Sequence, residues 1–196
     1  MPSAAQTRDP LQSLLQAARE AGDGLPPVDR WEPDYCGEMD MVIRRDGSWW
    51  HEGTRITRDR LVRLFSTILR KDDDGIHYLV TPVEKIGIEV EVAPFLATRV
   101  DRVGEGRDQS LVFTTNVGDL AEAGPDHAIR VQIDPETGEP TPLVRVRGRL
   151  DALLTRPVFY ELVEMAGEHE GVMGVWSGGV FFALEAEDRK VGNDAG

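Results

Sequence analysis

The chain is poor in the residues that most structural and catalytic sites require. It has one cysteine, Cys36, among 196 residues, which excludes an intrachain disulfide framework and fits a reducing compartment. Its four histidines are His51, His77, His127 and His169. No two lie three to five residues apart, and Cys36 has no CxxC partner, so a structural zinc site is excluded. Cations are scarce as well: 22 Lys+Arg against 35 Asp+Glu leave a formal net charge of −13. Such a surface opposes phosphate backbones and anionic leaflets, so neither a nucleic-acid polymer nor a membrane is expected as a partner. No apolar run approaches the ~20 residues of a spanning helix, and Met1–Gln6 has no basic and apolar leader, so a cytoplasmic location is expected. No GxxxxGK[ST] occurs, and Gly104-Glu105-Gly106 lacks the third glycine and following helix of a dinucleotide loop. No cofactor is expected.

What is present specifies an α+β protein. Asp9-Pro10, followed by Leu11, Leu14, Leu15 and Ala18 at helical spacing, predicts a first helix stopped by Gly22. Asp23–Pro27 is a loop of breakers. Met41–Arg45 and Ser48–His51 flank Asp46-Gly47, which predicts a hairpin with a two-residue type I′ turn. Thr57 is the expected cap of a second helix, whose apolar face (Leu61, Leu64, Phe65, Ile68, Leu69) runs to about Arg70. Asp72–Gly75 would then be its solvated end, since Ile76 stands where a calcium loop needs its third acid. A strand over 76–81 follows. Ile86, Ile88, Val90 and Val92 alternate with polar residues, and further strands are expected at 95–103, 110–115, 128–134 and 143–147. Their short turns favour antiparallel pairing. A last helix starts at Thr155, with Phe159, Leu162, Val163 and Ala166 on one face, and Val180–Leu184 is a buried final strand.

These elements give two small antiparallel-sheet/helix domains. The expected divisions are a helix and linker at 1–28, an α+β domain at 29–82, a β-rich domain with a closing helix at 83–190, and a tail at 191–196. Arg60 and Gly75 have the same separation as Arg156 and Gly171, which suggests a repeated hairpin-helix-strand motif. Two copies of one unit would create an interface of the kind where ligands bind.

Among residues that could carry chemistry, Ser177 in Val175-Trp176-Ser177-Gly178-Gly179 superficially resembles a nucleophile elbow. It lacks the glycine two residues earlier and the helix that should follow. Cys36 has no helix N-terminus to activate it. An extended 143–149 would put Arg145, Arg147 and Arg149 on one face, with Arg156 following at a helix start, a grouping suited to an anion. The alternative is a ladder of cross-strand ion pairs to Glu89 and Glu91. One of Trp49 and Trp50 must face outward, Trp176 sits in a glycine-rich turn and Tyr160 lies off the apolar face of its helix. These rings could stack on a planar ligand or simply pack on a neighbouring loop. Glu84 and Asp119 are the carboxylates a small hydrolase or transferase would use, with a metal that spacing does not identify. A third reading is a protein-interaction module using a sheet edge or the stripe of the first helix.

Several segments together resemble the bacterial domain-of-unknown-function family numbered 1285. They are Trp31–Asp40, Thr81-Pro82-Val83-Glu84-Lys85-Ile86-Gly87, Phe113-Thr114-Thr115-Asn116-Val117-Gly118-Asp119, Arg156–Leu162 and Val175–Gly179. The resemblance runs from about Val28 to Leu184. It implies a two-domain α+β protein with a repeated motif and a C-terminal domain superficially like the pleckstrin-homology fold. It also implies a nucleotide-like ligand at the domain interface and a role in signal transduction with a signalling protein as partner, and no established activity. Through their place in the matching motifs it nominates Lys85, Asn116, Arg156, Tyr160, Trp176 and Ser177. With Arg147 and Arg149 from the basic stripe, these form the expected ligand-binding set, and the expectation leans away from an enzyme.

Overall fold

The computed structural model describes residues 10–20 and 24–185. Asp9 and Gly22, the expected bounds of the first helix, and the tail at 191–196 lie outside the described residues. The chain divides into two compact units, residues 1–94 with 148–150 and residues 95–147 with 151–196.

In the first unit, α1 (Pro10–Glu20) buries Leu14, Leu15 and Ala18, the stripe that the spacing predicts, and packs on α2 (Asp59–Thr67). Six strands form one sheet: β1 (Tyr35–Ile43), β2 (Trp49–His51), β3 (Thr54–Arg55), β4 (Leu69–Lys71), β5 (His77–Val80) and β6 (Lys85–Val90). Their order is β3-β2-β1-β6-β5-β4. Met41, Ile43, Trp49, Phe65, Ile68, Leu69 and Leu79 are buried, and Trp49 stacks on Phe65 with ring centroids 6.2 Å apart.

Four expectations for this unit change. The Asp46-Gly47 hairpin has a three-residue loop: Arg44 N–H donates to Ser48 O and Gly47 N–H to Arg44 O. Gly47 alone has positive φ (+80°), with Asp46 outside that region, so this is a type I turn closed by a left-handed glycine. The Asp46 carboxylate accepts from the N–H and hydroxyl of Ser48, which holds the residue in that turn. The second helix stops at Thr67, short of Arg70. The hydroxyls of Ser66 and Thr67 bond back to the carbonyls of Arg63 and Leu64, and Leu69–Lys71 pairs with His77–Leu79 as a strand. Asp72–Gly75 is therefore a hairpin turn, built like the first: Asp72 N–H donates to Ile76 O, Gly75 N–H to Asp72 O, and Gly75 has φ +82°. Arg58, not Thr57, holds the N-cap position of α2, without a side-chain bond. Finally β6, which the sequence reading placed in the second half, pairs with β1 and β5.

The second unit has its own six-stranded sheet. Its strands are β7 (Phe95–Val103), β8 (Ser110–Thr115), β9 (Leu120–Glu122), β10 (Ile129–Ile133), β11 (Pro140–Arg147) and β12 (Leu150–Leu154), in the order β10-β11-β12-β7-β8-β9. Then come α3 (Arg156–Met165) and a three-stranded sheet of β13 (Gly167–His169), β14 (Val172–Ser177) and β15 (Val180–Ala183). The helix buries Val158 and Leu162 and leaves Val163 exposed, so its inner face differs from the expected one. That face is set by packing against β7 and β14.

Neither large sheet is purely antiparallel. β1 runs parallel to β6, and β12 parallel to β7. Parallel neighbours need a long connection, and here two antiparallel meanders supply it in each unit, so first and sixth strands meet at the centre. The fold is α+β with mixed sheets and few helices.

Candidate functional site

On β11 the alternation holds: Val144 and Val146 are buried, while Arg145 and Arg147 are half-buried on the other face. The guanidinium groups are engaged, however. Arg145 Nε donates to Asp151 Oδ1 at 2.7 Å, and Arg130 takes the other oxygen of that buried carboxylate. Arg147 pairs with Asp119 and lies over the Phe95 ring, 5.0 Å from its centroid. In the first unit, Arg149 pairs with Asp73. The ladder of ion pairs therefore exists, but its acids are Asp151, Asp119 and Asp73 instead of Glu89 and Glu91. Glu91 accepts from the Arg45 backbone N–H.

Asn116 begins the turn after β8. Its N–H donates to Leu96 O at 2.9 Å and its Oδ1 accepts from Leu96 N–H at 3.0 Å, so its side chain completes the edge of the sheet. Trp176 and Ser177 sit by the other end of β8. The Ser177 hydroxyl is buried, accepts from Leu111 N–H at 2.8 Å and donates to Ala123 O at 2.7 Å. Among the described residues no basic side chain bonds it, and its two backbone bonds make it a structural clamp. The Trp176 ring packs on His169 and Phe181 and carries Arg107, whose Cζ is 5.0 Å from the ring centroid. Leu111 and Thr115 are four strand residues apart, about 13 Å, so these two groups of expected ligand residues are not brought together.

Arg156 opens α3, exposed, and among the described residues forms no ion pair. Tyr160, one turn further on, is 63% exposed. An i, i+4 pair shares one helix face, so a guanidinium and a phenol ring stand side by side in solvent.

In the first unit, Lys85 Nζ lies 3.1 Å from Asp72 Oδ2 and 4.5 Å from the centroid of Tyr78. Arg70 binds the same carboxylate and also the carbonyls of Val28 and Trp31. Burial pulls the Asp72 carboxyl upward, but its bonds to Arg70 and Lys85 prevail and hold it below the usual range. Tyr78 donates to Asp74 at 2.7 Å, which pushes the phenol up to about 12 and lowers Asp74. Trp49 is the inward tryptophan; Trp50 faces out beneath the guanidinium of Arg44, 3.9 Å above its ring. Of the two carboxylates considered for hydrolysis, Asp119 is bound to Arg147. Glu84 Oε2 is buried without a hydrogen-bond partner among the described residues. No group of three or more His, Cys, Asp or Glu among the described residues could hold a metal.

The sequence reading missed one basic cluster. Arg19 of α1, Arg58 at the N-cap of α2, and Arg60 and Arg63 of α2 line a groove of about 950 Å³, together with Ala18, Leu61 and Leu64. The local signal was Arg58-x-Arg60-x-x-Arg63, three cations within two turns at a helix start. The fourth arrives only through the packing of α1 on α2.

The comparisons with known proteins agree over most of the chain. "Domain of unknown function (DUF1285), N-terminal domain" matches residues 26–93, and "Protein of unknown function (DUF1285), C-terminal domain" matches residues 94–184. A crystal structure of a DUF1285 family protein from Silicibacter pomeroyi DSS-3 is 49% identical, with a TM-score of 0.82, over 87% of this chain and 93% of that one. Another, from Shewanella baltica OS155, is 25% identical with a TM-score of 0.51, over 65% of this chain and 92% of that one. No curated protein matches. The resemblance read from the scattered motifs is thus borne out, and the chain belongs to the DUF1285 family.

Proposed function

We propose that this chain is a non-enzymatic binding module of the cytoplasm that takes a nucleotide-like or other anionic ligand and serves signal transduction. The observation that carries this reading is Arg156. It is exposed, forms no ion pair among the described residues, stands at a helix start and has the exposed ring of Tyr160 one turn away. A guanidinium fork suits a phosphate or carboxylate, and the adjacent ring suits a planar group. The pleckstrin-homology-like and duplicated character implied by the family resemblance belongs to the same reading. What supports duplication is strand order: each large sheet joins two three-stranded meanders through one central parallel pair. No helix among the described residues is long and apolar enough to cross a membrane.

The test is a thermal-shift screen of the full chain against nucleotides, linear and cyclic dinucleotides and simple anions. A ligand at about 100 times its Kd adds roughly 2.7 kcal/mol to stability, a visible shift. Arg156→Ala should then weaken binding about tenfold, while the unliganded melting temperature moves by no more than ~2 °C, as for other surface substitutions. A flat screen sinks the reading, and a collapse of the fold in the variant would make Arg156 structural.

A second reading, a protein-interaction module, is favoured by one feature. β10 is an edge strand, and with β15 it borders a cavity of about 720 Å³ beside the exposed side chains of Ile133 and Val172.

A further inference from the structure

We infer that the groove between α1 and α2 is a binding site for a polyphosphorylated small molecule. This site is separate from Arg156 and does not depend on the role proposed for it. Arg19, Arg58, Arg60 and Arg63 converge on one groove. All four are exposed, and no carboxylate among the described residues lies within ion-pair distance of any of them. The contrast with β11 is informative. There each arginine has an acid, although the chain has 35 acids to distribute. Four like charges around one concavity repel each other, and an anion is what would relieve that repulsion.

The lining narrows the ligand class. The groove's volume, about 950 Å³, matches sites for single small molecules, and Leu61 and Leu64 add apolar lining beside the arginines. Phosphates concentrate more charge per group than carboxylates, and each offers the oxygens that a guanidinium fork grips in pairs. Three of the arginines lie within six residues of chain, so a short chain of linked phosphates fits them better than carboxylates spaced along an acidic peptide. Arg58 sits at the N-cap of α2 without a capping bond, so the positive end of that helix dipole adds to the same field.

The experiment is calorimetric titration of the full chain with inorganic tripolyphosphate, repeated on Arg60→Gln/Arg63→Gln, on Arg60→Lys and on Arg156→Ala. The double variant should bind at least about tenfold more weakly, because two charge-assisted contacts are lost. Its melting temperature should be unchanged or higher, because the substitution removes repulsion. Arg60→Lys should keep part of the affinity, and Arg156→Ala should keep the groove's binding event while losing any event that Arg156 itself supplies. Equal affinity in the double variant and the parent overturns the inference. So does a loss confined to Arg156→Ala, which would leave the Arg156 reading standing. Tighter binding of a poly-glutamate of matched charge would also overturn it, in favour of an acidic protein partner.

Discussion

Ser177 stands in a glycine-flanked segment that invites comparison with a nucleophile, yet its hydroxyl ties the backbone of Leu111 to that of Ala123. Ser177→Ala would leave a buried N–H and a buried carbonyl without that partner, at a cost of about 1–3 kcal/mol. Urea denaturation should show a loss of that size; stability equal to the parent's would return the hydroxyl to the list of groups available for chemistry. Asn116 gives the same lesson. Its amide mimics a strand neighbour for Leu96, which gives its place in the family motif a structural explanation.

At the scale of elements, the 72–76 turn links charge to folding. Tyr78 is raised to about 12, chiefly by its bond to Asp74, from an ordinary value of 10. Between those values the folded chain keeps a proton that the unfolded chain releases. The stabilisation is therefore complete below pH 10 and is lost as pH rises towards 12. Asp74→Asn should lower the Tyr78 midpoint in an ultraviolet absorbance titration, and an unmoved midpoint would refute the assignment to Asp74. β12 carries a second element-scale expectation. Asp151, 7% exposed in a strand buried throughout, holds both Arg130 and Arg145. Asp151→Ala would remove the buried carboxylate that both half-buried guanidiniums share and should cost about 3 kcal/mol or more by chemical denaturation. A change under about 1 kcal/mol would show that solvent already satisfies them.

Across the whole molecule, the local patterns were legible and the long-range ones were not. β7 and β8 fall where alternation and turn glycines placed them, because both signals are contained in the strand itself. β4 was read as the end of a helix because Leu69 continues helical spacing, and only its pairing with β5 decides otherwise. The face of β11 was legible from period two. Its acids were not, since Asp119 is 28 residues away and nothing local announces it. The arginine groove was legible in part, through Arg58, Arg60 and Arg63, and lacked Arg19 until two helices met.

The parallel pair at the centre of each large sheet also bears on the order of assembly. Each meander can form from neighbours in sequence, and three strands with an apolar face are near the minimum for independent survival. Joining β1 to β6, with registers such as Val42 to Glu89, closes a loop of about 47 residues at an entropic cost of roughly 3 kcal/mol before any contact repays it. The seam at the middle of the finished sheet is thus expected to close after its two meanders. Its amides should be the last to exchange, while the outer strands, though equally regular, open and close around it.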